Sequence, residues 1–296
     1  MTDPKIGVVG IPGKWSTEVL ADAIEVRTGF RHVVDMGSVH LDLARGRLMD
    51  GETDLSAFDG LIVKKISAEY SPATLDRLEM LRVAEAAGVR VFSRAINILR
   101  LIDRLSCTVT LSNAGIPMPE TQVTENEDAA AAAVEAFGSA VFKPLYSTKA
   151  RGMCVIDHAD GEVAVREQIT AFRADNPVMY IQRKVALPGR DMGMVFLAGE
   201  YLGTYARVPQ DDAWNTTIEN GGRYAAHQPP DDQIELARKA QALFDMDFTT
   251  VDVAETEDGP IVFEVSAFGG FRGAKEGMDV DVAALYADHV MQQLGR

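Results

Sequence analysis

The chain has 296 residues and a net charge of −15, long enough for two or three packed units around a large buried core and acidic enough to disfavour two polyanionic partners, nucleic acid and an anionic membrane. The apolar and charged fractions are those of an ordinary soluble globular protein. Two cysteines without metal-type spacing, Cys107 and Cys154, point to a reducing cytoplasmic setting, five scattered histidines argue against a His-based zinc site, and neither a signal-like segment nor a membrane-spanning apolar run is present.

In chain order, KIGVVG (Lys5 to Gly10) reads as a strand, followed by a Gly-containing turn and a helix over WSTEVLADAIEVRTG. GIPGKWST invites a phosphate-loop reading, but that motif needs a Gly five positions before the Gly-Lys pair and a Ser or Thr after the Lys. Val8 and Trp15 stand there instead, so the reading fails. What remains is a turn that is either structural or able to meet an anion at the helix start. RHVVDMGSVHLDL, DGLIVKKI (Asp59 to Ile66), a helix over SPATLDRLEMLRVAEAAG and VRVFS (Val89 to Ser93) continue the alternation. Strands alternating with helices imply a parallel sheet covered on both faces, so residues 1 to about 95 read as a small doubly wound unit.

NILRLIDRLSCTVTLSNAG reads as a helical stretch stopped by Gly115, with Pro117 and Pro119 just beyond. TQVTENEDAAAAAVEAFG gives an extended piece and an Ala-rich helix closed by Gly138. In SAVFKPLYSTKARGMCVID a strand, a polar loop and a second strand place Lys143, Lys149 and Arg151 around Gly152. A flexible basic loop on a hairpin suits a polyphosphate; taken alone, it reads as a solvated surface turn.

Near the C-terminus, TTVDVAETEDGPIVFEV reads as a β-hairpin turning at Glu257, Asp258 and Gly259. Val251, Val253, Phe263 and Val265 flank Asp252 and Glu264 and are expected to face the core. The two acids then either face water or converge on a site, where two repelling carboxylates suit a divalent cation such as Mg²⁺ held between protein and phosphate.

The order of IDRLSCTVTLSNAGIPMPET, VFKPLYSTKARGMCVI, YIQRKVALPGRDM, TYARVP, DAWNTTIENGGR and VDVAETEDGPIVFEVSAFGGFRG resembles the successive signatures of ATP-grasp proteins, in particular the RimK-like amino-acid ligases. The resemblance covers roughly the whole chain and is strongest from residue 95 onward. It implies an α/β ATP-grasp fold with an N-terminal doubly wound parallel-sheet domain (1–95), a central subdomain with a phosphate lid (96–182) and a C-terminal subdomain with the metal site (183–296). It also implies an ATP-dependent carboxylate-amine ligase that forms an amide bond through an acyl phosphate, using ATP and Mg²⁺ or Mn²⁺. The partners implied are ATP, a small-molecule or peptide carboxylate, and an amine or amino acid such as glutamate. A homo-oligomer is the base-rate expectation, and nothing in the sequence raises it.

By the same resemblance, Lys143 meets the nucleotide phosphates and the loop from Ser147 to Gly152, with Lys149 and Arg151, closes over them. Gln182, Arg183, Lys184 and Val185 form the hinge that reads the adenine edge, and Asp191 lies near the ribose or the substrate. Arg207 neutralises the transferring phosphoryl group, Asp252, Glu264 and Ser266 hold the metal, and Arg272 orients a substrate carboxylate. The chain departs from the family pattern at several of these places. Ser266 replaces a metal-binding Asn, Asn215 and Thr217 stand where relatives carry Arg and Asn, Gly193 stands where an Arg commonly follows the Asp, and Arg183 where a hinge Glu is common. These departures leave two expectations, a divergent ligase or a nucleotide-binding relative without efficient catalysis. His227 and Trp214 read as bystander and packing residues.

Overall fold

The computed structural model describes residues 3–148, 150–187, 189–209 and 222–295. The first unit runs β1 (Ile6–Val9), α1 (Trp15–Thr28), β2 (Val33–Val34), β3 (His40–Asp42), β4 (Arg47–Asp50), β5 (Thr53–Asp54), β6 (Gly60–Val63), α2 (Pro72–Ala86) and β7 (Arg90–Phe92). Four of these strands form a parallel sheet in the order β2-β1-β6-β7. Period-two alternation sends Ile6, Val8, Ile62 and Phe92 into one core cluster, shared with α1, and Val9, Leu61, Val63 and Val91 into another, shared with α2. Both faces are therefore covered, as the alternating sequence pattern predicts. From β1 the chain steps outward to β2, then crosses to β6 and continues to β7. The crevice outside the carboxyl ends of β1 and β6 is thus the topological switch point of this sheet.

Two sequence expectations change here. Only Val33–Val34 of RHVVDMGSVHLDL joins the parallel sheet. The Asp35 carboxylate accepts the Gly37 N–H at 2.8 Å, a local turn that ends the strand, and β3-β4-β5 follow as a small antiparallel sheet. The helical stretch after Ser93 is also divided, into α3 (Ala95–Ile102) and α4 (Arg104–Asn113). Asp103 between them is extended, and its carboxylate caps α4 by accepting the Leu105 N–H at 3.0 Å.

Next come β8 (Thr121–Thr124), α5 (Glu127–Phe137), β9 (Ser139–Lys143), β10 (Cys154–Asp157), α6 (Glu162–Asp175) and β11 (Met179–Arg183). The sheet order β10-β9-β11-β8 is antiparallel throughout. Its apolar face packs on α5 and α6 as a separate core that includes Ala130, Val134, Phe142, Ile169 and Ile181. The remaining elements are β12 (Asp191–Leu197), β13 (Glu200–Val208), β14 (Arg223–His227), α7 (Asp231–Ala242), β15 (Phe248–Thr256), β16 (Gly259–Val265), α8 (Phe271–Met278) and α9 (Val282–Gln293). They build a five-stranded antiparallel sheet ordered β14-β13-β12-β15-β16.

The predicted C-terminal hairpin is present as β15 and β16, with Thr256 opposite Gly259 across a two-residue loop. Its register shifts between Asp252 and Val253. That bulge adds one residue on β16, so Val262 rather than Phe263 reaches the core beside Val251, Val253 and Val265. Phe263 is only half-buried, and its ring lies 5.4 Å from the Lys143 ammonium.

Candidate active site

Strand register assembles the acidic centre. Asp252 on β15 stands opposite Glu264 on β16 and, on its other side, opposite Gly193 on β12. Asp191 on β12 stands opposite Arg207 on β13. Directly paired residues share a face, as do residues two apart on one strand, so Asp191, Arg207, Asp252 and Glu264 all project from the same side of the sheet. The Arg207 guanidinium donates to both Asp191 oxygens, with Nε–Oδ2 at 3.0 Å, and its Nη2 lies 3.0 Å from Asp252 Oδ2.

Burial would lower the pKa of Arg207, but the Asp252 and Asp191 carboxylates outweigh it and hold the guanidinium firmly charged. Burial pushes the Asp252 carboxyl up to about 7; Arg207 opposes this shift, whereas Glu264 and Asp191 add to it.

The phosphate-side residues converge from the central sheet. The Lys143 Nζ donates to Gln182 Oε1 at 2.5 Å. Gln182 is 2% exposed, and its Nε2 donates to Thr121 Oγ1 and to the Tyr180 hydroxyl. Burial pushes the Lys143 ammonium down to about 7, the nearby Arg104 charge adds to this, and Glu264 pulls the other way. Arg104, at the start of α4, carries no sequence signal of a role. Its Nε donates to the Pro144 carbonyl at 3.1 Å and its Nη1 lies 3.4 Å from Glu264 Oε2, so it joins the lysine strand to the acidic hairpin. The extended Asp103 that divides α3 from α4 sets this residue at a helix start, a break that helical periodicity alone does not reveal.

The other predicted residues are placed as follows. Among the described residues the buried Ser147 hydroxyl has no hydrogen-bond partner. The Arg151 guanidinium donates to Thr148 and pairs with Glu69 at 2.8 Å, which ties the loop to the first unit. Lys149 lies outside the described residues, as do Trp214, Asn215 and Thr217. The amides of Arg183 and Lys184 donate to the Glu120 and Ser139 carbonyls, the Arg183 guanidinium pairs with Glu120 over the Phe137 ring, and Val185 is half-buried.

The Ser266 N–H donates to the Thr250 carbonyl at 2.8 Å, and its own carbonyl accepts from Thr249 Oγ1, which fixes the chain just past Glu264. Arg272 and Arg207 both act electrostatically on the Tyr224 phenol. Arg272 sits on the exposed side of α8, with its guanidinium over the Trp15 ring at 5.5 Å and Glu276 at 3.7 Å, because the buried side of that helix is occupied by Phe271, Gly273 and Ala274. Among the described residues the buried His227 Nε2 has no partner.

The departure at Gly193 has a steric explanation. A Cβ there would lie 2.3 Å from Tyr205 Cζ, and Cβ atoms at Gly273 and Gly277 would come within 2.4 and 2.6 Å of the same side chain. Tyr205, 3% exposed, therefore fills the space over Asp252 into which a longer residue at position 193 would extend.

The residues present fit a divalent cation and a nucleotide. Two carboxylates one strand apart, the Asp252 carboxyl driven toward neutrality by its surroundings, form an oxygen donor set whose repulsion Mg²⁺ or Mn²⁺ would relieve. Among the described residues no group of three or more His, Cys, Asp and Glu is arranged to hold a metal ion by itself, so further ligands would come from phosphate oxygens, water or the Ser266 hydroxyl. Lys143, held by a neutral amide oxygen, and the Ser147 hydroxyl, which has no partner among the described residues, are suited to phosphate.

Comparison with solved structures defines the class. The chain aligns with the ATP-grasp ligase PsnB complexed with a phosphomimetic variant of its minimal precursor, Mg and ADP, at a TM-score of 0.76 and 19% identity, covering 99% of this chain and 100% of that one. It aligns with a RimK domain ATP-grasp protein from Sphaerobacter thermophilus at a TM-score of 0.74 and 22% identity, covering 96% and 98%. The fold is that of the ATP-grasp proteins. The sequence profile of the RimK-like ATP-grasp domain matches residues 102–290.

The chain belongs to the RimK-like ATP-grasp family and is thus an ATP-dependent carbon–nitrogen ligase. It is 26% identical over 266 residues to the tetrahydromethanopterin:α-L-glutamate ligase of Methanosarcina acetivorans, covering 85% of this chain and 82% of that protein. It is also 26% identical over 287 residues to the ribosomal protein bS6–L-glutamate ligase of Escherichia fergusonii, covering 94% and 93%. Among the described residues no helix is long and apolar enough to cross a membrane.

Proposed function

We propose that this protein joins the amine of glutamate, or of a similar amino acid, to a carboxylate acceptor through an acyl phosphate. The observation that carries this reading is the Asp191–Arg207–Asp252 chain of ion pairs lying across the sheet from Glu264. It concentrates charge where a phosphoryl group must be transferred. The glutamate-ligase names of the two relatives by sequence support the choice of amine.

In this reading residues 1–95, 96–182 and 183–296 act as three units, with the nucleotide between the last two. Lys143 binds the phosphate chain, steadied by Gln182, and the Ser147 hydroxyl and Arg151 cover it from the loop. Because the Arg183 and Lys184 amides are engaged, adenine meets the carbonyls of the segment from Gln182 to Val185. Bound Mg²⁺ supplies charge neutralisation on the phosphate oxygens, with Asp252, Glu264 and the Ser266 hydroxyl as its protein ligands. Arg207, fixed by Asp191, offsets the charge of the phosphoryl group in transit.

An acceptor carboxylate oxygen attacks the γ-phosphorus and the bond to the bridging oxygen of ADP breaks. The amine then attacks the acyl carbon and loses a proton to solvent, and phosphate leaves with the former carboxylate oxygen. The loop keeps water from the acyl phosphate meanwhile. A rival reading, a nucleotide-binding module without turnover, draws on Ser266 and Asn215, the latter outside the described residues, and on the departure at Gly193. Tyr205 occupying the space above Gly193 weakens it.

The test is isotopic. Carboxylate acceptors labelled with ¹⁸O are incubated with ATP, Mg²⁺ and L-glutamate. Amide product accompanied by phosphate carrying one ¹⁸O is expected, and amide with unlabelled phosphate would exclude the acyl phosphate route.

A further inference from the structure

Four polar side chains share the face of the central sheet that is turned away from α5 and α6. Lys143 on β9 stands opposite Tyr180 on β11, Gln182 lies two residues further along β11, and Thr121 on β8 stands opposite Gln182. Directly paired residues, and residues two apart on one strand, project to the same side. Ile181, between Tyr180 and Gln182, points into the core instead. α4 reaches the polar face. Its Thr108 hydroxyl meets the Tyr180 hydroxyl at 2.9 Å, and Arg104, one turn earlier, has its guanidinium 5.9 Å from the centre of the Tyr180 ring.

These contacts give the buried Gln182 amide a single orientation. Its Oε1 accepts from Lys143, and its Nε2 donates to Thr121 Oγ1 at 3.0 Å and to the Tyr180 hydroxyl at 3.2 Å, so the oxygen and both N–H groups are engaged. The Thr121 hydroxyl donates its own proton to the Pro119 carbonyl at 2.9 Å, and toward Gln182 its oxygen can therefore only accept. The Tyr180 oxygen also accepts from Gln182, which leaves its proton for Thr108. Turning the amide over would set its carbonyl against the Thr121 oxygen and its NH₂ against the Lys143 ammonium. All three hydrogen bonds of the amide would break in a buried place.

Resting on the ligase reading above, we propose that Thr121 and Tyr180 are positioning residues for ATP, which hold the Gln182 carbonyl toward Lys143 and so aim its ammonium at the phosphate chain. Both act through Gln182 rather than on the nucleotide itself. Committing one N–H of the ammonium to Gln182 fixes the directions of the others. A lysine side chain without such an anchor samples many rotamers, and ordering it when the nucleotide binds costs affinity. The chain of hydrogen bonds runs from the Pro119 carbonyl through Thr121 and Gln182 to Lys143. Phosphate binding on β9 thus depends on the first residue of β8, and Thr108 supports the same amide from α4 through Tyr180.

The test titrates AMPPNP, a nonhydrolysable ATP analogue, into the full chain with and without Mg²⁺ by calorimetry. Thr121→Val keeps the shape of the side chain and removes the hydroxyl. It is expected to weaken AMPPNP by roughly three- to tenfold, the range of a neutral hydrogen bond. Thr121→Ser restores the hydroxyl and is expected to bind like wild type. In a Gln182→Leu background Thr121→Val is expected to cause no further loss, because its effect runs through the amide. If Thr121→Val does not fold, Tyr180→Phe, which keeps the ring beside Arg104, takes its place in the same cycle with the same expectation. Wild-type affinity in the folded variant would overturn the proposal, as would an equal loss in the Gln182→Leu background, which marks a merely structural role. A wild type that does not bind AMPPNP under either condition would instead overturn the ligase reading on which the proposal rests.

Discussion

Replacing Asp252 by Asn should make the metal-free protein more stable while removing its activity. The Asp252 carboxyl is pushed from 3.8 to about 7, first by burial and then by the Glu264 and Asp191 charges, against the pull of Arg207. The folded chain therefore holds this proton more tightly than the unfolded chain does. Stability contributed by the neutral form is complete below the unfolded value and is lost as pH rises from about 4 to about 7.

A shift of about 3 units at about 1.4 kcal/mol each sets a ceiling of about 4 kcal/mol on the penalty at pH 8. Asn also removes the Arg207 contact of 3.0 Å, so a net gain of about 1–2 kcal/mol is expected, because loss of a partly buried ion pair offsets part of the relief. In a chain of this size that is roughly 2–6 °C in the melting midpoint. Urea denaturation in EDTA from pH 5 to pH 8 measures it. The gain of the variant should grow through this range and level off above about pH 7. A variant less stable than wild type at pH 8, or with its largest gain at pH 5, would refute the assignment of Asp252 as a strained carboxylate awaiting a cation.

Other outcomes follow from the same geometry. Gly193→Ala puts a Cβ 2.3 Å from the Tyr205 ring and should cost roughly 1–3 kcal/mol by overpacking. In urea denaturation Gly193→Ala combined with Tyr205→Ala should be more stable than the sum of the single effects, and strict additivity would contradict the shared-space explanation. Gln182→Leu removes the acceptor that holds Lys143 and should raise the KM for ATP about tenfold; steady-state kinetics with an unchanged KM would count against Lys143 as the phosphate-binding residue. The Lys143 ammonium is pushed down to about 7, so it is mostly neutral at pH 8, and binding of AMPPNP without Mg²⁺ should take up a proton. Calorimetry in buffers of different ionisation enthalpy detects the uptake, which Lys143→Arg should abolish.

Much of this architecture is legible because it is local. Alternation of apolar residues announces β1 and β6, Gly138 closes α5, and the turn from Glu257 to Gly259 pairs Asp252 with Glu264. What the sequence hides depends on register and on contacts between distant segments. One extra residue at the bulge turns Phe263 away from the core, and an extended Asp103 divides what periodicity reads as one helix and aims Arg104 at Glu264. The Gly193 departure looks like a lost charge in sequence. Only the fold brings Tyr205, Gly273 and Gly277 together to explain it. The placement of Arg272 is hidden for a similar reason, since its position on the outer side of α8 follows from what the inner side buries.

The central claim is that Asp252 and Glu264 hold the metal of a nucleotide site, and calorimetric titration of AMPPNP with and without Mg²⁺ tests it most directly when wild type is compared with Glu264→Gln. Wild type should bind more tightly with Mg²⁺ present. The variant should lose that dependence while keeping the Mg²⁺-free affinity supplied by Lys143. The same Mg²⁺ dependence in both proteins would contradict the account.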